Sequence, residues 1–202
     1  MLGQRLVFTR LSTLVKNLKL LYNNDDFCFS KSNFAPFKGG VVMKTIASFQ
    51  IDHEKLEPGI YISRVNSYES KYGDIEVKTF DLRFTRPNRE EPIDQAALHT
   101  IEHLGATFLR SDPTWGKAIV YFGPMGCRTG FYLIMQTIFC PCVIRDLIIN
   151  MCKFIVDYNG PIPGATAKEC GNYLEHDIVK AKYYAKKYME ELTDNFHDEY
   201  PK

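Results

Sequence analysis

His99-Thr100-Ile101-Glu102-His103 lies inside a stretch, Gln95 to about Arg110, that reads as a helix behind Asp94, a good helix-capping residue. Residues four apart on a helix stand one turn above each other. His99 and His103 can therefore grip one metal ion. Glu102, three residues after His99, reaches the same face as a carboxylate able to move protons beside the metal. Outward from this helix the pattern changes. Thr45–Asp52 and Gly59–Val65 read as strands, and Ile75, Val77, Leu82 and Phe84 mark a longer one rich in β-branched and aromatic residues. Ala118–Phe122 and Phe131–Phe139 are strand-like. Pro141 suits the first turn of a helix running to Tyr158, and His176–Leu192 reads as a final helix after the proline-rich turn Gly160 to Gly164. Strands joined by hairpins and loops, with a few helices, predict an α+β fold: a mainly antiparallel sheet packed against a few helices in a single domain.

Composition limits the function classes. The 202 residues suit one domain with a real core, and 45% apolar with 24% charged residues is ordinary for a soluble globular protein. A net charge of +1 gives no reason to expect nucleic acid as partner. No apolar run approaches the ~20 residues of a membrane-spanning helix, and Leu6 to Leu21 is interrupted by Arg10, Lys16 and Lys19 with no small-residue cleavage site behind it. A cytoplasmic, reduced chain is expected, with cysteines serving metal binding, catalysis or packing.

Residues 1–42 differ from the rest. They hold six Lys/Arg against two Asp, whereas the remainder holds 19 basic against 22 acidic residues. They prepare no obvious core, and Lys38-Gly39-Gly40, just before Met43, reads like a ribosome-binding site translated in error. The expectation is an N-terminal extension over 1–42, disordered or a mis-assigned start, ahead of a catalytic domain over 43–202.

Catalytic metal sites commonly keep three protein ligands and one open position, so the helix needs a third ligand. Cys170, in Glu169-Cys170-Gly171-Asn172-Tyr173, is the preferred one; Cys127, between Gly126 and Arg128, is the alternative. A neighbouring cation favours the thiolate form, which suits Cys127 to acid/base or nucleophilic work. Cys140, Cys142 and Cys152 read as core. Arg83, in Phe80-Asp81-Leu82-Arg83-Phe84, is either a rim salt bridge to an acid such as Asp81 or an anion or hydroxyl contact. The spacing His-x-x-Glu-His also occurs in inverzincin-type metallopeptidases, which would need a distal carboxylate, with Glu169 or Glu175 nearest. A metal-binding or redox-sensing module without catalysis is the other rival.

Ser48-Phe49 with Asp52-His53, Phe80 to Phe84, His99 to His103, Pro124 to Phe131 and Cys170-Gly171 together resemble the S-ribosylhomocysteine lyases, the bacterial autoinducer-2 synthases. The resemblance runs from about Thr45 to Glu190, in the family's order and with similar spacing. It implies cleavage of S-ribosylhomocysteine to homocysteine and 4,5-dihydroxypentane-2,3-dione, by carbonyl migration and β-elimination of the thioether. It also implies a homodimer with its sites at the subunit interface. One Fe(2+) per subunit, replaceable by zinc or cobalt, would be held by His99, His103 and Cys170. Glu102 and Cys127 would be the acid/base pair, and Ser48, His53 and Arg83 would line the substrate pocket. One departure is Tyr121-Phe122-Gly123, where many relatives carry an acidic residue, an apolar one and Ser. That stretch bears on recognition of the substrate's amino group.

Overall fold

A computed structural model describes residues 46–71 and 73–201; the expected extension over 1–42 lies outside the described residues. Strands β1 (Gly59–Tyr68) and β2 (Ile75–Arg83) pair antiparallel from Gly59 opposite Arg83 to Tyr68 opposite Ile75. Strands β3 (Ile119–Pro124) and β4 (Gly130–Gln136) form a hairpin, and β4 pairs with β2, giving the order β1-β2-β4-β3. Three helices follow the predicted pattern: α1 (Gln95–Ser111), α2 (Pro141–Asp157) and α3 (Ile178–Asp194). The architecture is the expected α+β fold with an antiparallel sheet.

Alternation along the strands sorts their side chains onto two faces. Phe80 pairs with Leu133 and Leu82 with Phe131, and all four are buried with Ile60 and Met135. This face joins Ile101 and Leu104 of α1, Ile148 and Met151 of α2, and Ala185 and Tyr188 of α3 in one core. The opposite face carries Asp81 and Arg83, which are also buried.

Asp94 caps α1 by accepting hydrogen bonds from the Ala96 and Ala97 amides. The helix buries Leu98, Ile101, Leu104 and Leu109 and leaves His99, Glu102 and His103 half-buried on another side. Gly105 permits close packing against β3, since a Cβ there would come within 2.6 Å of the Phe122 ring. Helix α3 starts at Ile178, two residues later than expected, because Asp177 serves as its cap through the Lys180 amide. The apolar α2 buries Ile144, Leu147, Ile148, Met151, Cys152 and Ile155, but leaves Val143 exposed.

Two expectations need correction. No strand forms within Thr45–Asp52 among its described residues: Ala47–Phe49 is a 3-10 turn, closed by the Phe49 amide on the Ile46 carbonyl. Ile46 and Phe49 are exposed there. Their apolar spacing therefore does not mark a core-facing strand. Cys152 is core, but Cys140 and Cys142 are exposed at the start of α2 and bonded to each other across Pro141. The apolar neighbourhood in sequence misled because Pro141, rather than either cysteine, faces inward.

Candidate metal centre

The side chains of His99, His103, Cys170 and His176 converge, with one ligand atom from each lying within 4.8 Å of the others. Their orientation is set by backbone carbonyls. His99 Nδ1 lies 2.9 Å from the Glu175 carbonyl, and His103 Nδ1 lies 2.7 Å from that of Pro163. A carbonyl only accepts, so each Nδ1 carries the hydrogen and each Nε2 keeps a free lone pair, the arrangement that prepares a histidine for a metal. The two ring planes stand 87° apart. Cys170 Sγ sits 3.4 Å from His99 Nε2 and accepts from the Asn172 amide.

The loop between α2 and α3 brings these partners to α1. The Thr166 carbonyl accepts from the Glu169 and Cys170 amides, forming the turn that presents the thiol. Gly164 has φ +71°, a left-handed conformation that glycine adopts without strain, and lays the chain against His103. His176, a neighbour in sequence of Cys170, is the member of the cluster that motif spacing did not single out. Burial and the adjacent imidazoles of His99 and His103 push its ring below the usual imidazole range. Its Nε2 is buried with no hydrogen-bond partner among the described residues.

Imidazoles and a thiol suit a first-row transition ion better than a hard, oxygen-seeking one, so the donor set fits a metal cofactor. Among the described residues no carboxylate joins the group. Glu169 accepts from Thr166 and Glu175 from Asn172, and neither joins the converging group, where an inverzincin-type site would need a carboxylate. Glu102 is half-buried on α1 and has no hydrogen-bond or ion-pair partner among the described residues.

The remaining predicted residues gather elsewhere. Ser48, His53, Arg83 and Cys127 line a cavity of about 410 Å³, together with Thr129 and Tyr132. The turn between β3 and β4 holds Cys127: Met125 and Gly130 pair across it, and Arg128 sits at φ 59°. Gly130 is required there, since a Cβ would lie 2.2 Å from the Leu82 carbonyl oxygen. Arg128 donates to the Ile93 carbonyl, so the cation connected to Cys127 is Arg83. Cys127 Sγ contacts Thr129 Oγ1 at 3.1 Å, and Thr129 accepts from Arg83 Nη1 at 2.5 Å. Arg83 is also forked onto Asp81, with Nη2 at 2.6 Å and Nε at 3.1 Å. Burial opposes its charge, but Asp81 outweighs burial and holds the guanidinium above its ordinary range. Both partners are almost wholly buried, so this is no rim salt bridge. Tyr200 adds a hydrogen bond to Asp81. Sequence spacing did not single out Thr129 or Tyr200: the bond of Thr129 to Arg83 and that of Tyr200 to Asp81 join residues 46 and 119 positions apart. None of His99, His103 or Cys170 lines this cavity.

Fold and side chains define a class: a small α+β protein with a candidate transition-metal centre mounted on one helix and its adjoining loop. A family model described as S-ribosylhomocysteinase (LuxS) matches residues 46–199, and the chain belongs to that family. An S-ribosylhomocysteine lyase of Clostridium acetobutylicum is 49% identical over 157 residues, covering 78% of this chain and 96% of that one. That of Borreliella afzelii is 51% identical over 152 residues, 75% of this chain and 94% of its own. That of Phocaeicola vulgatus is 48% identical over 153 residues, with 76% and 92% covered.

Proposed function

We propose that the protein is a metal-dependent carbon–sulfur lyase that cleaves S-ribosylhomocysteine to homocysteine and 4,5-dihydroxypentane-2,3-dione, the autoinducer-2 precursor. The observation that carries this reading is the convergence of His99, His103 and Cys170 in a chain of the S-ribosylhomocysteinase family. These three residues are the ligands. Iron(II) is the proposed ion, with zinc or cobalt as substitutes, because two imidazoles and one thiolate accept several first-row metals.

When bound, the metal supplies Lewis acidity to the carbonyl and hydroxyl oxygens of the sugar. The protein's own groups move the protons. Glu102 and Cys127 remove a proton from one carbon and return it to the neighbouring oxygen or carbon, which walks the carbonyl along the chain. Once the thioether carbon is β to the carbonyl, abstraction of the intervening proton breaks the C–S bond and releases the homocysteine thiolate. Ser48, His53 and Arg83 hold the substrate. Arg83 serves largely through Thr129 and Asp81, since those two engage most of its donors.

Two copies make each site. Support comes from the separation of the cavity around Cys127 from the metal ligands, which do not line it. It comes also from exposed apolar residues beside both groups, Phe49 at the cavity and Leu174 near Cys170, 77% and 79% exposed. Large exposed apolar side chains mark interaction surfaces when they cluster. The catalytic unit is residues 43–202. The family match begins at residue 46 and runs to 199, and the matches to the relatives take in 92–96% of their own lengths. The compartment is the bacterial cytoplasm, in keeping with the free thiols of Cys127, Cys152 and Cys170 though not with the bonded Cys140 and Cys142. No helix among the described residues is long and apolar enough to cross a membrane.

The test is product analysis. Incubation with S-ribosylhomocysteine should release one free thiol and one five-carbon dione, with no cleavage of peptides. Peptide cleavage, or neither product from the metal-loaded protein, would overturn the reading.

A further inference from the structure

The bond between Cys140 and Cys142 lies outside the chemistry assigned so far, and it adds little to the fold. It joins residues two positions apart, whose Cα atoms stand 5.4 Å from each other, and it ties no separate elements together. The entropy a disulfide removes from the unfolded chain shrinks with the loop it closes, and this loop is very short. Other contacts already fix the segment. Pro141 is buried at the first turn of α2, Lys78 Nζ donates to the Ile138 and Phe139 carbonyls at 2.7 and 3.2 Å, and the Phe139 amide donates to Thr137 Oγ1.

The segment instead presents the two sulfurs for reaction. Cys140 and Cys142 are both exposed, on either side of the inward-facing Pro141. Cys140 is the N-cap of a 17-residue helix, its side chain makes no capping bond, and no acidic residue stands in the first turn. A thiolate leaving at Cys140 would accept from the first-turn amides at the positive end of the helix. Exchange between a thiol and a disulfide is fast when the attacked sulfur is accessible and the departing sulfur is stabilised as thiolate. Cys152, ten residues along the same helix, has neither property: it is buried, and burial pushes its thiol far up.

We propose that the Cys140–Cys142 pair is a thiol–disulfide exchange site for small monothiols. The incoming thiolate attacks Cys142 Sγ, a new S–S bond forms to the small thiol, and the Cys140–Cys142 bond breaks with its electron pair going to Cys140 Sγ. A second small thiolate attacks the sulfur of the first, frees Cys142 as thiolate and leaves as the small disulfide. Two small thiols are thereby oxidised, the pair gains two electrons, and the two thiol protons end on Cys140 and Cys142. The reverse sequence re-forms the bond. Such a pair can open and close in a compartment that keeps other thiols reduced. The site does not depend on the lyase reading, although that reaction would release one such thiol, homocysteine.

The experiment uses the full chain without oxygen, equilibrated with homocysteine and its disulfide at a series of ratios. Free thiols are then alkylated, and the tryptic peptide of residues 129–145, which holds Cys140 and Cys142 and no other cysteine, is weighed. The peptide should pass from no alkyl group to two. Doubling the thiol at constant disulfide should raise the dithiol-to-disulfide ratio about fourfold. In Cys140→Ser, which lacks the sulfur that expels the bound thiol, the peptide should instead keep one homocysteine on Cys142. A peptide that stays unalkylated in pure homocysteine would show an inert bond and overturn the proposal. So would one that carries two alkyl groups in pure homocysteine disulfide, or a Cys140→Ser chain that gains no adduct. Glutathione run in parallel separates the sources. The same dependence marks a site open to any small monothiol, reduction by homocysteine alone marks one restricted to amino-acid thiols, and either result upholds exchange at this pair. Thiol release from S-ribosylhomocysteine is measured separately, so failure of the lyase reading is distinct from failure of this one.

Discussion

At the scale of single residues, ligands and proton carriers separate by what their loss removes. His99→Ala, His103→Ala or Cys170→Ala should lose bound metal and activity together, because two ligands hold a divalent ion poorly. Metal analysis of purified Cys170→Ala is the check; full stoichiometric metal would reject the ligand set. Cys127→Ala and Glu102→Gln should retain the metal and lose about 10²–10⁴-fold in turnover, the usual worth of a general acid or base. Loss of metal from Cys127→Ala would mean that the two cysteines had been exchanged. Much at this scale was legible in the chain. Spacing alone put His99 and His103 on one helical face, because the rule is local. Cys170 follows from no local rule: it reaches α1 through a loop, 71 residues away in sequence from His99. Its setting beside Gly171, rather than periodicity, made it the preferred third ligand over Cys127, and the family resemblance implies the same. For the same reason His176 was not singled out, since only the folded chain brings it beside His99 and Thr100; Thr129 is local to Cys127, but its bond to Arg83 is not.

Among the elements, helix α1 was read nearly to its ends, because Asp94 caps it through a side-chain acceptor that sequence displays openly. The Thr45–Asp52 segment failed because a strand requires a partner, and pairing is not written in one segment's composition. The elements are also clamped by charge. Arg86, just beyond β2, contacts Glu57, Glu90 and Glu191, joining the segment before β1 to the last turns of α3. Burial alone would raise the Glu57 and Glu90 carboxyls, but Arg86 with Arg89 and Lys187 outweighs it and holds both below the ordinary range. A carboxyl depressed by folding stabilises the fold above its unfolded value, about pH 4.5 here, and that stability is lost as pH falls through the folded value. Arg86→Met should therefore cost about 1–2 kcal/mol at pH 7, between an exposed pair and a broken buried one. Urea unfolding at pH 7 and pH 3 measures this. The gap between native and variant should shrink in acid; an unchanged gap would show that the network contributes nothing through charge.

For the whole molecule, composition and element order were enough for the fold class, whereas assembly was not readable from periodicity. Helix α2 carries apolar residues over much of its surface, and the core consumes most of them, leaving residues such as Val143 exposed. Shared sites remain directly testable. Mixing Cys170→Ala with His53→Ala subunits should restore up to about a quarter of native activity, since random pairing leaves one intact site in each mixed dimer. No recovery after confirmed subunit exchange would count against sites built from two chains. A chain beginning at Met43 should match the full chain in urea stability and turnover; a loss of stability would give residues 1–42 a place in the core. The central claim, that this metal centre cleaves the thioether of S-ribosylhomocysteine, has one most direct measurement: the rate of homocysteine thiol release as iron(II) is added back, without oxygen, to metal-stripped protein. The account predicts negligible release without metal and a rate that rises in proportion to bound iron until one ion per subunit is reached. Thiol release that is independent of bound metal, or absent at full occupancy, would contradict it.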